Sequence, residues 1–360
     1  MKKRILIIST MYPSQKYPSF GIFVENQVKR IRQNGYSADL LVIKNPKMGK
    51  ANLIIKYGVW FLKWLDLVVR KRQRYDVIHA HYAFPSGLLG LWLKRMIKVP
   101  LIITVHGGDL DKMANINQRI KRYTTDILQA ADHVIAVGSR LEKQLMQEYQ
   151  IDAAKISLLN MGVNRSIFYP MSKTDLRKGQ QLNEEGPIIL FVGNIIENKG
   201  VRELLQAFEQ LEMSQAALYI IGAIKEPAYY QVLQQYIADH AIENVHFLPA
   251  ADQQTVARWM NIADVQVVPS YIEGFGLVAL EAMSCHTPVV GSHVGGLQYL
   301  LADQAGLSVE PKDPSALKQA IEQVLHDPEL RENMILNGEA KADNNDQEKL
   351  IQSLFTIYDR

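Results

Sequence analysis

Residues 264–296, DVQVVPSYIEGFGLVALEAMSCHTPVVGSHVGG, decide the fold that the sequence predicts. The stretch opens on an apolar run, passes through a loop with Gly274-Phe275-Gly276, continues as a helical pattern and closes on a second apolar run, PVVGS at 288–292. Runs that are apolar almost throughout are typical of strands covered on both faces. A helix between two such strands predicts a parallel β-α-β unit.

Runs of the same kind recur along the whole chain, with helical patterns between them. In the first half, the predicted strands are RILIIS (4–9), ADLLVIK (38–44), DVIHAHY (76–82), PLIITVHG (100–107), DHVIAVG (132–138) and KISLLN (155–160). In the second half, they are PIILFVG (187–193), ALYIIG (217–222), VHFLP (245–249), DVQVVPS (264–270) and PVVGS (288–292). Helices of the second half are predicted at about 200–211, 227–240, 252–262 and 315–326.

A polar, proline-containing stretch at about 165–186 separates the two series of strands. The sequence therefore predicts an α/β protein with two Rossmann-like, doubly wound parallel-sheet domains, at 1–168 and 187–343. The last segment, 344–360, is predicted to be a helix that packs on either domain. Because such sheets bind ligands beyond the carboxyl ends of their strands, we expect the domains to face each other across a cleft, with the chemistry at the strand ends.

The composition is that of a folded chain from a reducing compartment. Hydrophobic residues make up 48% and charged residues 21%, which excludes a disordered or collagen-like protein. A single cysteine, Cys285, excludes disulfides within the chain and cysteine-rich metal sites. The start, MKKRILIISTMYPSQ, has only a short apolar run broken by Pro13, so we interpret it as a strand and expect a cytoplasmic protein.

The charge is distributed unevenly between the two halves. Residues 1–170 contain 27 Lys and Arg against 11 Asp and Glu, whereas residues 171–360 contain 13 against 26. A basic first half predicts an anionic partner, either nucleic acid or an acidic membrane surface. Nucleic acid is disfavoured because no recognised nucleic-acid module accompanies the charge.

The segment at 53–74, LIIKYGVWFLKWLDLVVRKRQR, is predicted to be a helix that is apolar on nearly all sides. Charged residues interrupt it too often for a membrane-spanning helix. Trp60, Phe61 and Trp64 lie beside a basic stripe at helical spacing, formed by Lys56, Lys63, Arg70 and Arg74. Two interpretations stay open: a helix that lies in an anionic membrane surface, and a helix packed on the core of the first domain with a basic outer face.

Two glutamates flank the glycine loop of the opening stretch. Glu273 lies in the loop, and Glu281 lies about two turns into the helix that follows. Carboxylates accept hydrogen bonds from the paired hydroxyls of a ribose or hexose ring. The backbone N–H groups of Gly276, Leu277 and Val278 stand at the helix N-terminus, where they can bind phosphate oxygens or sugar hydroxyls. The alternative is an ordinary capped helix with two solvated glutamates.

With this motif the sequence resembles the retaining glycosyltransferases of family 4, enzymes of the GT-B fold that are marked by E-x7-E. Further segments follow the family's order along nearly the whole chain: SFGIFVENQVKRI (19–31), TVHGGD (104–109), LLNMGVNRSIFYP (158–170), FVGNIIENKGVRELLQAF (191–208) and SHVGGLQYLL (292–301). The resemblance implies transfer of a hexose from a nucleotide diphosphate sugar, more often UDP than GDP, with retention of anomeric configuration. It also implies that no metal or other cofactor takes part.

The resemblance further implies which partner each domain binds. The second domain would bind the nucleotide sugar, and the first would bind the acceptor. A saccharide or lipid-linked saccharide of a bacterial envelope polysaccharide is the expected acceptor. The anionic membrane surface is then the candidate partner of residues 53–74, which would place a cytoplasmic enzyme at the inner face of the membrane.

Residue by residue, the resemblance assigns three catalytic positions: His106, Lys199 and Glu273. Lys199 would neutralise the departing diphosphate, whose charge grows in the transition state, and His106 would lie beside the donor sugar. Glu281 would bind the ribose. Asp109, in the loop after His106, is either a structural loop residue or part of the acceptor site. The implied donor-binding positions are Gly21, Asn194, Lys199, Glu273, Gly274, Phe275, Gly276, Leu277, Val278 and Glu281.

Structural roles stay open for several of these residues. Gly21 either lets the diphosphate approach the first helix or is a loop glycine before that helix. His106 is either functional or structural, and Lys199 is either a diphosphate partner or a solvated lysine at a helix start. Asp109 and Asp111 form a D-x-D motif, which holds a divalent metal in sugar transferases of another fold. Their position directly after HGG, inside a segment that the resemblance explains, disfavours a metal site.

The chain departs from the family pattern at three positions. Asn194 stands where arginine is usual, so one of two diphosphate cations is absent, and Arg202 is the candidate replacement. His286 stands where glycine is usual, and Gln298 where glutamate is usual. Two rivals therefore stay open: a sugar-nucleotide epimerase of the same fold, and a nucleotide-sugar-binding protein without catalysis.

Overall fold

The computed structural model describes residues 2–18, 20–47, 49–71, 75–182, 186–213 and 215–359, with the side chains of Arg70 and Lys71 left out. The chain forms two compact units, Met1–Met161 with Gln347–Arg360, and Gly162–Asp346. Each unit contains one six-stranded parallel sheet with helices. The predicted fold class, α/β with two doubly wound parallel sheets, is confirmed.

The sheet of the first unit has the strand order β2-β1-β3-β4-β5-β6. Its strands are β1 (Arg4–Ser9), β2 (Ser37–Val42), β3 (Val77–His81), β4 (Leu101–Val105), β5 (His133–Ala136) and β6 (Ile156–Leu158). Four consecutive residues of β1, from Ile5 to Ile8, are fully buried because helices cover both faces of the sheet. The helices before the second unit are α1 (Ile22–Gln33), α2 (Lys50–Lys71), α3 (Ser86–Ile97), α4 (Gln118–Ala130) and α5 (Ser139–Gln147).

The sheet of the second unit has the order β12-β11-β10-β7-β8-β9, which is the order of the Rossmann fold. Its strands are β7 (Ile188–Val192), β8 (Ala217–Ile221), β9 (Val245–Leu248), β10 (Val265–Val268), β11 (Val289–Ser292) and β12 (Leu307–Val309). Its helices are α6 (Lys173–Gly179), α7 (Val201–Glu209), α8 (Pro227–Asp239), α9 (Gln253–Ile262), α10 (Leu277–Ser284), α11 (Leu297–Leu300), α12 (Pro314–His326) and α13 (Pro328–Asn344).

The last helix, α14 (Gln347–Tyr358), belongs to the first unit. Its buried residues Ile351, Leu354 and Phe355 lie in one core cluster with Val24 and Val28 of α1. The chain therefore leaves the first unit, builds the whole second unit and then returns.

The boundaries between the units differ from the predicted ones. The first unit ends at Met161 instead of 168, because Val163 and Phe168 are buried in the core of the second unit. Ser284 also donates a hydrogen bond to the Phe168 carbonyl over 2.6 Å. The second unit runs to Asp346 instead of 343.

Each sheet contains one place where the chain reverses the direction in which it adds strands. This place lies between β1 and β3 in the first sheet and between β7 and β10 in the second. In open parallel sheets, ligands bind beyond the carboxyl ends of the two strands at such a place. The loops after these four strands are therefore where candidate functional residues belong.

Candidate active site

The loops after β7 and β10 bring Lys199 and Glu273 together. Lys199 ends a short 3-10 turn, Glu197–Lys199, and its Nζ lies 2.6 Å from Oε2 of Glu273. Ser270, which is fully buried just after β10, donates to the same carboxylate oxygen over 3.3 Å. The Lys199 and Glu273 side chains keep only 24% and 16% of their surface exposed. A cation and a carboxylate are thus held in a fixed pair at the expected edge of the sheet.

The backbones of these two loops touch. Tyr271 N–H donates to the carbonyl of Asn198 over 2.9 Å. Gly200 has φ +68, and a Cβ there would lie 2.0 Å from the Pro269 carbonyl oxygen. Only glycine fits this position, because the backbone there is left-handed and the Pro269 carbonyl leaves no room for a Cβ. The loop of Lys199 is therefore positioned by backbone contacts.

A pair of glycines supports the loop of Glu273 from the other side. A Cβ on Gly295 would lie 1.8 Å from the Glu273 carbonyl oxygen, and a Cβ on Gly296 would lie 2.3 Å from that of Phe275. Gly296 N–H also donates to the Gly274 carbonyl over 3.2 Å. The GG pair is a visible signal in the sequence, but its role in supporting the loop of Glu273 was not predicted.

Helix α10 begins directly after this loop. Gly276 precedes it with φ +94, and the N–H groups of Leu277 and Val278 stand in its first turn, where no helical carbonyl precedes them. Within α10, Leu277, Val278 and Glu281 are partly exposed while the other residues are buried, and one turn of helix places these three on neighbouring positions. The Phe275 side chain is buried in the core of the second unit, so only its backbone can meet a ligand.

Glu281 lies in an environment that disfavours its charge. Burial raises the pKa of Glu281 to about 8, although a hydrogen bond with Gln253 opposes the shift. Near neutral pH the carboxyl group is therefore largely protonated, so it can donate one hydrogen bond as well as accept.

Asn194 and Arg202 were also discussed as diphosphate partners beside Lys199. Asn194 is exposed in the loop directly after β7. Arg202 lies on α7, and its backbone N–H donates a hydrogen bond to the Tyr229 hydroxyl over 3.1 Å. Burial raises the pKa of Tyr229 and Tyr236 on α8 to about 12, and the charge of Arg202 opposes that rise only in part. Among the described residues, neither Asn194 nor Arg202 has a hydrogen bond or ion pair with Lys199 or Glu273.

In the first unit, Asp109 holds together the loops after β3 and β4. Its Oδ1 accepts the N–H groups of His106 and Gly107 over 3.1 and 3.0 Å, and its Oδ2 accepts that of Ala83 over 3.0 Å. The side chain is buried, and burial raises the pKa of Asp109 to about 6. These contacts favour the structural alternative for Asp109, because both carboxylate oxygens already bind backbone groups.

The second aspartate of the D-x-D motif has a different partner. Asp111 Oδ1 accepts a hydrogen bond from Arg140 over 3.0 Å. No group of three His, Cys, Asp or Glu side chains suited to a metal ion occurs in the part of the chain that the structure describes. Independence of metal stays a prediction.

Three histidines form a chain of contacts at the same edge. His81, the last residue of β3, has Nδ1 3.1 Å from Nε2 of His106, which follows β4. His79 stacks on His81 and places Nδ1 2.7 Å from the Tyr358 hydroxyl and Nε2 2.7 Å from Oγ1 of Thr104. Burial lowers the pKa of all three imidazoles, that of His81 to about 3. The rings are therefore neutral at physiological pH.

The chain of contacts fixes the proton on His106. Nε2 of His81 is buried without a hydrogen-bond partner. A buried N–H without an acceptor costs more than a lone pair without a donor, so His81 carries its proton on Nδ1 and donates it to Nε2 of His106. The proton of His106 is then on Nδ1, which makes this atom a donor. The sequence signal that was missed is His79-Ala80-His81, two histidines on one face of a buried strand.

Gly21 lies after β1 at the same edge of this sheet. It has φ +74, and a Cβ there would lie 2.5 Å from the Met11 carbonyl carbon. The packing alone therefore requires glycine, as the structural alternative states. Phe23, two residues on, has its ring 4.8 Å from that of His106, so Gly21 and His106 belong to one neighbourhood within the first unit.

Of the two interpretations of residues 53–74, the structure supports the core-helix one for Trp60 and Trp64, which do not serve as membrane anchors. Both indoles are buried, and their N–H groups donate to the carbonyls of Leu41 and Leu89 over 3.0 and 3.2 Å. The two tryptophans fasten α2 to the first unit, as in the core-helix interpretation. Arg74 of the predicted basic stripe lies outside the described residues. Among the helices that are described, none has both the length and the apolar character to cross a bilayer.

Comparison with known proteins identifies the family. Residues 23–166 match the profile of glycosyltransferase family 4, and residues 172–341 match that of glycosyl transferases group 1. A D-inositol 3-phosphate glycosyltransferase of Pseudarthrobacter chlorophenolicus is 32% identical over 77% of this chain and 69% of its own. An uncharacterised glycosyltransferase of Methanocaldococcus jannaschii is 29% identical over 99% of each chain. A Bacillus subtilis glycosyltransferase named for teichuronic acid biosynthesis is 26% identical over 94% of this chain and 95% of its own.

Solved structures share the fold. Sucrose-phosphate synthase from Thermosynechococcus elongatus matches with a TM-score of 0.84 at 24% identity, over 99% of this chain and 98% of that one. Anabaena HepE in complex with UDP-glucose matches with a TM-score of 0.80 at 19% identity, over 99% of each chain. The chain belongs to the family 4 glycosyltransferases and has the GT-B fold.

Proposed function

We propose that this chain is a retaining hexosyltransferase that moves a hexose from a UDP-sugar to a hydroxyl group of a saccharide or lipid-linked acceptor. The observation that carries the proposal is the pair of Lys199 and Glu273, held where β7 and β10 end and just before α10 begins. A cation, a carboxylate and the N–H groups of a helix N-terminus are the groups that a diphosphate and a sugar require.

In the structure, Lys199 and Glu273 pair with each other. A bound donor would offer each a new partner, since the diphosphate attracts the lysine and the sugar hydroxyls donate to the carboxylate. Donor binding would then exchange one ion pair for two sets of contacts. The N–H groups of Leu277 and Val278 would bind the same donor, and Glu281 would take the ribose hydroxyls.

In the proposed reaction, the bond between the anomeric carbon and the leaving phosphate oxygen breaks while a bond to the acceptor oxygen forms on the same face of the sugar. The acceptor proton passes to the leaving phosphate oxygen. Lys199 meets the negative charge that grows on that phosphate, and a fixed cation there lowers the barrier. Glu273 holds hydroxyls and does not attack, so no covalent enzyme intermediate forms. Nδ1–H of His106 would donate to the donor sugar.

UDP is proposed over GDP because the Anabaena protein, which shares the fold, was solved with UDP and with UDP-glucose. The envelope saccharide acceptor is supported by the relative named for teichuronic acid biosynthesis. A lipid-linked acceptor would place the reaction at the inner face of the membrane. The excess of Lys and Arg in residues 1–170 fits an acceptor or surface of negative charge.

The donor is tested by thermal shift with UDP-glucose, UDP-N-acetylglucosamine and GDP-mannose. A ligand at 100 times its Kd stabilises the fold by about 2.7 kcal/mol, so the preferred donor should stand out. Transfer with that donor should persist in excess EDTA. Loss of activity that manganese or magnesium restores would overturn metal independence and return attention to Asp109 and Asp111.

The rivals are separated by turnover. Incubation with UDP-N-acetylglucosamine alone would yield its epimer if the chain were an epimerase, and epimer formation without an acceptor would overturn the transferase proposal. Tight binding of a nucleotide sugar with no turnover on any acceptor would favour a binding protein. The Lys199–Glu273 pair favours an enzyme over a binding protein, because a cation fixed at the leaving group serves bond breakage.

A further inference from the structure

Helix α2 has two apolar faces on opposite sides. One face packs on the first unit through Trp60, Trp64, Leu67 and Val68, all of them buried. The other face is exposed and carries Ile54, Ile55, Val59, Leu62, Leu65 and Val69. We call this second set the outer face. A helix that is apolar all round is normally buried all round, so the outer face lacks the cover that its composition calls for.

The outer face continues onto the neighbouring helix. Phe61, 40% exposed, lies at its edge with its ring 6.5 Å from that of Trp92 on α3. Trp92 and Met96, one helical turn apart, are both exposed. Two helices of the first unit therefore present one apolar surface to solvent. Scattered single apolar side chains need no explanation, but a contiguous group of this size marks an interaction site.

Basic residues border this surface. Residues 47–71 contain six Lys and Arg and one acidic residue, Asp66. Lys63 is exposed on α2, beside the outer face at helical spacing. Arg95 on α3 and Lys98 directly after it are exposed close to Met96. The chemistry of the surface is an apolar centre with a positive rim.

We propose that the outer face of α2, with Trp92 and Met96 of α3, docks the first unit on an anionic lipid bilayer. Apolar side chains would enter the boundary between headgroups and acyl chains, and the basic rim would meet the lipid phosphates. A second copy of the chain fits less well, because a two-fold contact would bring two positive rims together. The proposal deepens the membrane-side location proposed above, and it places the contact on the side of α2 opposite to Trp60 and Trp64.

The test is co-sedimentation of the full chain with vesicles. We expect binding to vesicles of equal parts phosphatidylglycerol and phosphatidylcholine at least ten-fold tighter than to phosphatidylcholine alone, and weaker binding in 0.5 M salt. The double variant Ile55→Gln/Leu62→Gln should weaken binding at least ten-fold. The matched control Val232→Gln/Leu336→Gln changes two exposed apolar residues on helices of the second unit, and should bind like the wild type.

Three results would overturn the proposal: wild type that ignores anionic vesicles at low salt, an Ile55/Leu62 variant that binds as tightly as wild type, or light scattering that shows a dimer lost in that variant. Should that variant unfold, Val59→Gln/Val69→Gln changes two other exposed positions and gives the same reading. UDP-glucose calorimetry runs alongside. Vesicle binding without any nucleotide-sugar binding would contradict the proposed transferase and leave the docking surface intact.

Discussion

Lys199 and Glu273 each hold the other in place. Their 2.6 Å contact keeps two charged side chains ordered while both are mostly buried, and Ser270 adds a donor to the carboxylate. Preorganised charges of this kind act on a transition state without having to reorient. Glu273 is proposed to hold the sugar hydroxyls and Lys199 to meet the charge of the leaving phosphate, so the two residues lead to different kinetic expectations.

We expect Glu273→Ala to lower kcat/KM more than ten-fold, a loss above about 1.4 kcal/mol of transition-state stabilisation. The reason is the loss of the hydroxyl contacts that hold the reacting sugar. Initial rates with the donor found by thermal shift measure it, and Glu197→Ala, at an exposed position before Lys199, is the control. A Glu273→Ala enzyme that keeps more than a tenth of kcat/KM would contradict the assignment.

Lys199→Ala is expected to lower kcat by a larger factor than it raises donor KM. The charge on the leaving phosphate is greatest in the transition state, so a cation there counts least in the ground state. Steady-state kinetics over a range of donor concentrations separate the two constants. Lys225→Ala, which removes an exposed lysine, should change neither. An effect on KM alone would reduce Lys199 to a binding residue.

Glu281 gives the site a pH dependence. Burial raises the pKa of Glu281 from 4.5 to about 8, so its carboxyl group holds a proton near neutral pH. Ribose hydroxyls that donate hydrogen bonds to the carboxylate would displace this proton. UDP-glucose affinity should therefore rise between pH 6.5 and 8.5, and Glu281→Gln should make it flat. Calorimetry in buffers of different ionisation enthalpy measures the released proton. A wild-type affinity independent of pH would remove Glu281 from the ribose site.

The same shift predicts the sign of a stability change. A carboxyl group with a raised folded pKa contributes stability that is fully present below its unfolded pKa, 4.5, and is lost as pH rises through about 8. The melting temperature of the unliganded protein should therefore fall from pH 6 to 8.5, and less so in Glu281→Gln.

At the scale of elements, continuous apolar runs located the strands well, because a strand buried on both faces has few polar positions to interrupt the run. β12 was missed: its three residues, Leu307–Val309, are partly exposed and form too short a run. α13 was missed because its sequence, PELRENMILNGEAKADN, shows little separation of apolar and polar faces. The signals used were strongest where burial was complete.

The candidate site, like the fold, could be predicted only in part from the sequence. The E-x7-E spacing and the ENKG segment pointed to Lys199 and Glu273, but their contact could not be read from positions 74 residues apart. The sequence also could not predict that Trp60 and Trp64 face the core, because a helix that is apolar all round does not reveal which side is covered. The proton on His106 depends on the contact with His81, which only the structure supplies.

The backbone conformation at position 286 explains why glycine is usual where this chain has His286. Its φ is +59, the left-handed region in which glycine is unstrained and other residues cost roughly 1 kcal/mol or more. We expect His286→Gly to leave stability unchanged or raise it by up to about 1 kcal/mol, offset in part by the lost contact of Nε2 with Glu339 at 3.3 Å. His286→Val should destabilise, because a β-branched residue fits this region worst. Urea unfolding tests both, and a more stable valine variant would contradict the backbone explanation.

At the scale of the whole molecule, the chain closes on itself after building the second unit. α14 completes the core of the first unit, and its Tyr358 reaches the histidine chain that ends at His106. The order along the chain and the order in space therefore differ, because the last helix stabilises the loops that follow some of the first strands. Residues near the C-terminus should therefore influence His106 through packing within the first unit.

Tyr358→Phe removes only the hydroxyl oxygen and tests whether α14 supports the histidine chain. The hydroxyl lies 2.7 Å from Nδ1 of buried His79, so its removal leaves the imidazole without that partner, at a cost of about 1–3 kcal/mol. Because α14 belongs to the first unit alone, amides of β3 and β4 should exchange hydrogen faster while those of β7 and β10 keep the wild-type rate. Tyr36→Phe is the matched control, since its hydroxyl contacts Asp359 over 3.3 Å at an exposed position. Equal acceleration in both sheets would show that stability is shared across the units, and no acceleration in either would remove Tyr358 from the support of the histidine chain.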